Sequence, residues 1–147
     1  MRVWAVSVLS ATLLTAVGHP FLLSQTSSTD STIAALVGKW DKRDGAAFIE
    51  VGSQLSEQFV LHGTSFFRVM KKHPKSFQSW IDELPSSTFT VYDYKDSADS
   101  VHLRSESVKL RSDMIARAKE LSQSPGFSKM AKRLTAALKK VQIRFTD

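Results

Sequence analysis

The chain contains no cysteine, which excludes disulfides, a thiolate nucleophile and any Cys-based metal site. It contains no asparagine either, so N-linked glycosylation is excluded. No P-loop, dinucleotide fingerprint, G-x-S-x-G elbow or metal-ligand spacing occurs in it. Six glycines and four prolines in 147 residues are too few for a low-complexity or collagen-like chain. Stability therefore has to come from an apolar core, and no reaction is written in a motif.

The material for a core is present. Hydrophobic residues make up 42% of the chain and aromatic residues 10%, with large side chains such as Phe48, Phe66, Phe67 and Trp80. A disordered chain lacks these, and the length suits one ordinary domain.

The first eighteen residues have a different character. Met1-Arg2 is a short positive start, Val3 to Val17 is an apolar run, and Ala16-Val17-Gly18 supplies small residues for a signal peptidase. The run is shorter than the ~20 residues of a spanning helix. Phe21-Leu22-Leu23 would lengthen it into an anchor, but Gly18, His19 and Pro20 interrupt it. The expected organisation is a cleaved signal peptide at 1–18, a flexible polar leader at 19–30 and one helical domain at 31–147. Such a chain is secreted or periplasmic.

From Asp30 onward apolar residues recur at helical spacing. Ile33, Leu36, Val37 and Trp40 predict a first helix capped by Asp30 or Ser31. Phe48, Val51, Leu55 and Phe59 predict a second over 46–61, with Gly63 at its C-terminal cap. Thr64 or Ser65 opens a third, closed by Pro74. Phe77, Trp80, Ile81 and Leu84 form a fourth, closed by Pro85. A fifth spans about 100–122 and a sixth about 127–144, where Phe127, Met130, Ala131, Leu134, Leu138, Val141 and Phe145 share one stripe.

Thr88 to Tyr94 is β-branched and aromatic, so a loop or single short strand packed on the helices is expected near 88–103, with a hairpin reaching Val101–Leu103 as the alternative. The fold class is all-α: a small bundle or short stack of about six helices. The pairing of 44–61 with 64–84 resembles helical-repeat solenoids in architecture alone. No second unit aligns at a fixed period, so no repeat family follows.

Charge is distributed unevenly. Residues 19–100 carry eight Lys/Arg against ten Asp/Glu, and residues 101–147 carry eleven against four. Lys129, Lys132, Arg133, Lys139, Lys140 and Arg144 lie off the apolar stripe of the last helix, and Arg104, Lys109, Arg111, Arg117 and Lys119 extend the set. These eleven are the candidate contacts for an anionic membrane or polysaccharide. An ordinary core-facing bundle helix carries the same pattern, and its wide stripe favours that reading.

Catalytic and metal constellations are weaker still. His62 stands three residues from Ser65 without a third group to orient it. Glu50 with Glu57, and Asp82 with Glu83, lack the contrasting environments that acid–base work needs. A free amino-terminal His19 with His62, His73 or His102 would be a remote copper site, and nothing in the sequence places them together. Trp40 and Trp80 read as core. Tyr92 and Tyr94, on an irregular segment, read as partner contacts.

The expectation is a non-catalytic binding module for a protein or small ligand, without cofactor. Electrostatic binding to anionic surfaces is the alternative, an enzyme or copper protein the remote one. Nucleic acid is not expected for an exported chain.

Overall fold

The computed structural model describes the backbone of residues 20–92 and 97–146, and the side chains there except 20–26, 46, 92, 97, 98 and 100. The described chain forms α1 (Pro20–Asp41), α2 (Gly45–Met70), α3 (Pro74–Ser87), β1 (Thr90–Tyr92), α4 (Ser97–Leu121), α5 (Ser128–Lys140) and β2 (Arg144–Thr146). It is mainly helical, with five helices among the described residues rather than six. The segment 1–18, expected to be a signal peptide, lies outside the described residues. Among them, no helix is long and apolar enough to cross a membrane.

The expected second and third helices run together as α2, but a kink at His62 (φ −132°, ψ 41°) divides it into two helical segments at the expected boundary. Gly63 does not cap a helix, and no described residue has positive φ. Its role is close approach. A Cβ there would sit 2.7 Å from Leu121 Cδ1 and 2.9 Å from Arg117 Nε, both on α4. Gly52 has the same role on the α3 side, where a Cβ would meet Ser87 Cβ at 2.5 Å and a ring carbon of Trp40 at 3.3 Å. Around that contact Ser56 Oγ donates to Gly52 O at 3.0 Å and bonds Thr88 Oγ1 at 3.0 Å, so the buried hydroxyls are satisfied.

One further expectation needs correction. Asp30 and Ser31 do not cap the first helix, because the described chain is already helical from Pro20. The helix runs through the polar 24–31 stretch, where Thr32 Oγ1 donates back to Ser28 O at 3.1 Å. Asp30 instead accepts two bonds from Arg68 Nη1 on α2, at 2.9 and 3.1 Å. Burial pushes its carboxyl up, but the hydrogen bonds from Arg68 and Ser65 and the charges of Arg68 and Lys72 outweigh this and hold it below its ordinary value.

The strand is real but the hairpin is not. β1 pairs in parallel with β2, Val91 opposite Phe145, and Val101–Leu103 belongs to α4. A parallel pair needs a long crossover, which α4 and α5 supply. Accordingly α5 stops at Lys140: Val141 is extended (ψ 127°) and the chain leaves the helix for β2. Val141, Ile143 and Phe145 also alternate, and that period wins once Phe89 O takes the Arg144 amide at 2.9 Å.

Ring contacts hold the core. Phe59, Phe66 and Phe67 of α2 meet Trp80 and Phe77 of α3, with centroids 4.9 Å apart for Phe66–Trp80 and 5.9 Å for Phe67–Phe77. Phe127, before α5, joins Phe67 at 5.8 Å. Trp40 and Trp80 are fully buried, as their apolar spacing implies.

Replacing Gly52 with Ala is expected to cost about 1–3 kcal/mol by overpacking against α3. Gly38, with open space at its Cβ, should gain up to about 1 kcal/mol from the same change. Urea unfolding checks both, and equal effects would contradict the close approach. For Asp30→Asn a loss of about 0.2–1 kcal/mol is expected at neutral pH. Because the folded pKa is depressed, this contribution is present above about pH 4 and fades as pH falls through the folded value. Parallel stability–pH curves for the two proteins would contradict the assignment.

Candidate functional site

α5 contacts α4 extensively and α3 only sparingly. The gap left between α3 and α5 is a surface groove holding two hollows, whose linings have Arg133 in common. The part toward the start of both helices has a volume of about 360 Å³ and is bounded by Met70, Pro74, Phe77, Pro125, Gly126 and Met130, with Lys71, Lys129 and Arg133. The part toward β2, about 430 Å³, runs between Ile81, Asp82 and Pro85 on α3 and Ala137, Lys140 and Val141, ending at Arg144.

Helical periodicity builds the basic wall. Lys129, Arg133 and Lys140 fall at i, i+4 and i+11, on one side of α5. Ala131, Leu134 and Leu138 are buried on the core side. The apolar stripe of the last helix therefore packs inward. Lys132 and Lys139 are exposed but do not line the groove.

The eleven basic residues expected to form one patch divide by what they touch. Four are tied to the protein itself. Lys109 pairs with Asp113 at 2.6 Å and Arg117 with Glu120 at 2.6 Å. Arg111 donates to Val141 O at 2.8 Å, holding the chain where it leaves α5. Arg104 lies over the Phe145 ring at 5.1 Å. The other seven, Lys119, Lys129, Lys132, Arg133, Lys139, Lys140 and Arg144, are exposed and make no ion pair among the described residues. Four of these seven border the groove, joined by Lys71 at the end of α2, which local sequence signals do not reveal. Asp82 is the one carboxylate on the lining, and it already accepts from Gln78 Nε2 at 2.5 Å.

A larger groove, about 530 Å³, lies at the α1–α2 junction. Its lining mixes Lys39, Lys42 and Arg43 with Asp44 and Glu50. Arg43 is also committed, its guanidinium 4.0 Å from the Trp40 ring centre and bonded to Trp40 O at 2.7 Å. That groove has no dominant sign.

Tyr94 lies outside the described residues. The backbone of Tyr92 is opposite Thr146 in the sheet. His62, His73 and His102 are exposed, on α2, before α3 and on α4, and His102 sits 3.2 Å from Glu106. His19 lies outside the described residues. Among the described residues no group of three or more His, Asp or Glu side chains is placed to hold a metal ion. Compared with protein-family models, with curated proteins and with solved structures, the chain matches none of them.

Arg111→Ala is expected to lower stability by about 1–2 kcal/mol through loss of a charge-assisted bond to a backbone carbonyl. Lys132→Ala should stay within about 0.5 kcal/mol. Thermal unfolding of the two variants checks this, and similar losses would contradict the division between structural and free cations.

Proposed function

We propose that the chain is an exported, non-catalytic binding module that receives an anionic partner in the groove between α3 and α5. One observation carries the reading: an apolar-floored groove is bordered by five cations, Lys71, Lys129, Arg133, Lys140 and Arg144, that make no ion pair among the described residues. Concave sites with apolar walls and a few converging polar groups are the usual form of ligand sites. Charges left without internal partners raise the local concentration of oppositely charged ligands. Export rests on the amino-terminal pattern of a positive start, an apolar run and small residues.

A second reading has its own support. Lys119, Lys132 and Lys139 are exposed outside the groove, so the α4–α5 face as a whole would serve as an electrostatic contact for anionic lipid or polysaccharide.

Two double variants with the same change in charge separate the readings, Arg133→Glu/Lys140→Glu and Lys132→Glu/Lys139→Glu. The probe is the fluorescent aromatic sulfonate anilinonaphthalene sulfonate, added to purified protein at low salt. The groove reading expects enhanced emission that falls about tenfold in affinity in the first variant and little in the second. It also expects weakening with salt, since screening shortens the reach of the rim charges. Equal loss in both variants, together with equal loss of binding to anionic liposomes, would favour the flat-surface reading.

A further inference from the structure

The groove changes chemistry along its length. Toward Arg144 its lining includes Gln78, Asp82 and Gln142. At the opposite end, Met70, Phe77, Met130 and two prolines face Lys71, Lys129 and Arg133, and no carboxylate lies among them. α5 also begins here at Ser128, with no side-chain cap and no acidic residue in its first turn, so its dipole adds to the same positive sign.

Size narrows the occupant further. At roughly 30 Å³ per water-sized group, a cavity of about 360 Å³ admits about a dozen non-hydrogen atoms. The three exposed cations favour an anionic head group, and a small inorganic anion would leave Met130, Pro74 and Pro125 uncovered.

We propose that this end of the groove binds a linear amphipathic carboxylate with a chain of about eight to ten carbons, that is, a medium-chain fatty acid. Its carboxylate lies toward Lys71, Lys129 and Arg133, and its chain covers Met130 and the rings of Pro74 and Pro125, above the buried Met70 and Phe77. This rests on the reading of the α3–α5 groove as the binding site and names the ligand class at one end of it.

The methionines supply a local readout. Met130 is half-buried on the lining and Met70 is buried directly beneath it, whereas Met114 is buried on α4, off the lining. The experiment titrates purified protein, its methionine methyl groups labelled with carbon-13, with decanoate, decanol, acetate and a short apolar peptide bearing a free C-terminus. Decanoate is expected to shift Met70 and Met130 and leave Met114 in place, with decanol and acetate weaker by about tenfold or more. Lys129→Gln/Arg133→Gln should weaken decanoate about tenfold without changing the thermal unfolding midpoint.

Decanol binding as tightly as decanoate, equal shifts at Met114, or binding of the peptide alone would each overturn the proposal. Loss of decanoate binding with sulfonate binding intact would sink the fatty-acid assignment and leave the groove standing. Absence of both would sink the two together.

Discussion

At Gly52 and Gly63 the backbone of α2 is approached so closely that atoms of α3 and α4 occupy the space a Cβ would need. With no disulfide available, this contact distance fixes how the helices meet. Ser87 and Trp40 seat against the first glycine, Leu121 and Arg117 against the second. The rings of Phe59, Phe66, Phe67, Phe77 and Trp80 fill the space between. The kink at His62 lets one helix serve both contacts. α2 is therefore the element around which α1, α3 and α4 are arranged.

The groove follows from that arrangement. α3 is held by α2, and α5 is held chiefly by α4. Their facing sides meet only partially, since the buried stripe of α5 is short (Ala131, Leu134, Leu138) and ends where Val141 turns into the extended segment. The parallel pairing of β1 with β2 ties the end of that segment beside Phe89 and closes the crossover through α4 and α5. What lies between α3 and α5 is a groove of two hollows, bordered by cations from α5, from β2 and from the end of α2. Residues outside the core thus acquire a shared geometry that none of them has alone.

Much of the fold was legible because burial repeats at helical spacing. Ile33, Leu36, Val37 and Trp40, and likewise Phe77, Trp80, Ile81 and Leu84, are buried as their spacing implies. Errors arose where a local signal had two meanings. Gly63 reads equally as a helix stop or as a site of close packing, and only the tertiary neighbour decides. Val141 and Phe145 fit a helical stripe and a strand alternation at once, and the partner strand lies some fifty residues away in the chain. The basic residues were legible as a set, but not their division. Nothing local separates Arg111, held by Val141 O, from Arg133, which borders the groove. Lys71 and the α3 wall were invisible for the same reason, since they join the site only through long-range packing.

The central claim is that positive potential is concentrated in the α3–α5 groove and not spread evenly over α4 and α5. Paramagnetic relaxation of backbone amides by two gadolinium chelates of equal size, one anionic and one neutral, measures this directly. The account predicts that the excess broadening by the anionic chelate peaks at Phe77, Ile81, Lys129, Arg133 and Lys140, and falls with added salt. An excess equally large at Lys119, Lys132 and Lys139, or none at all, would contradict it.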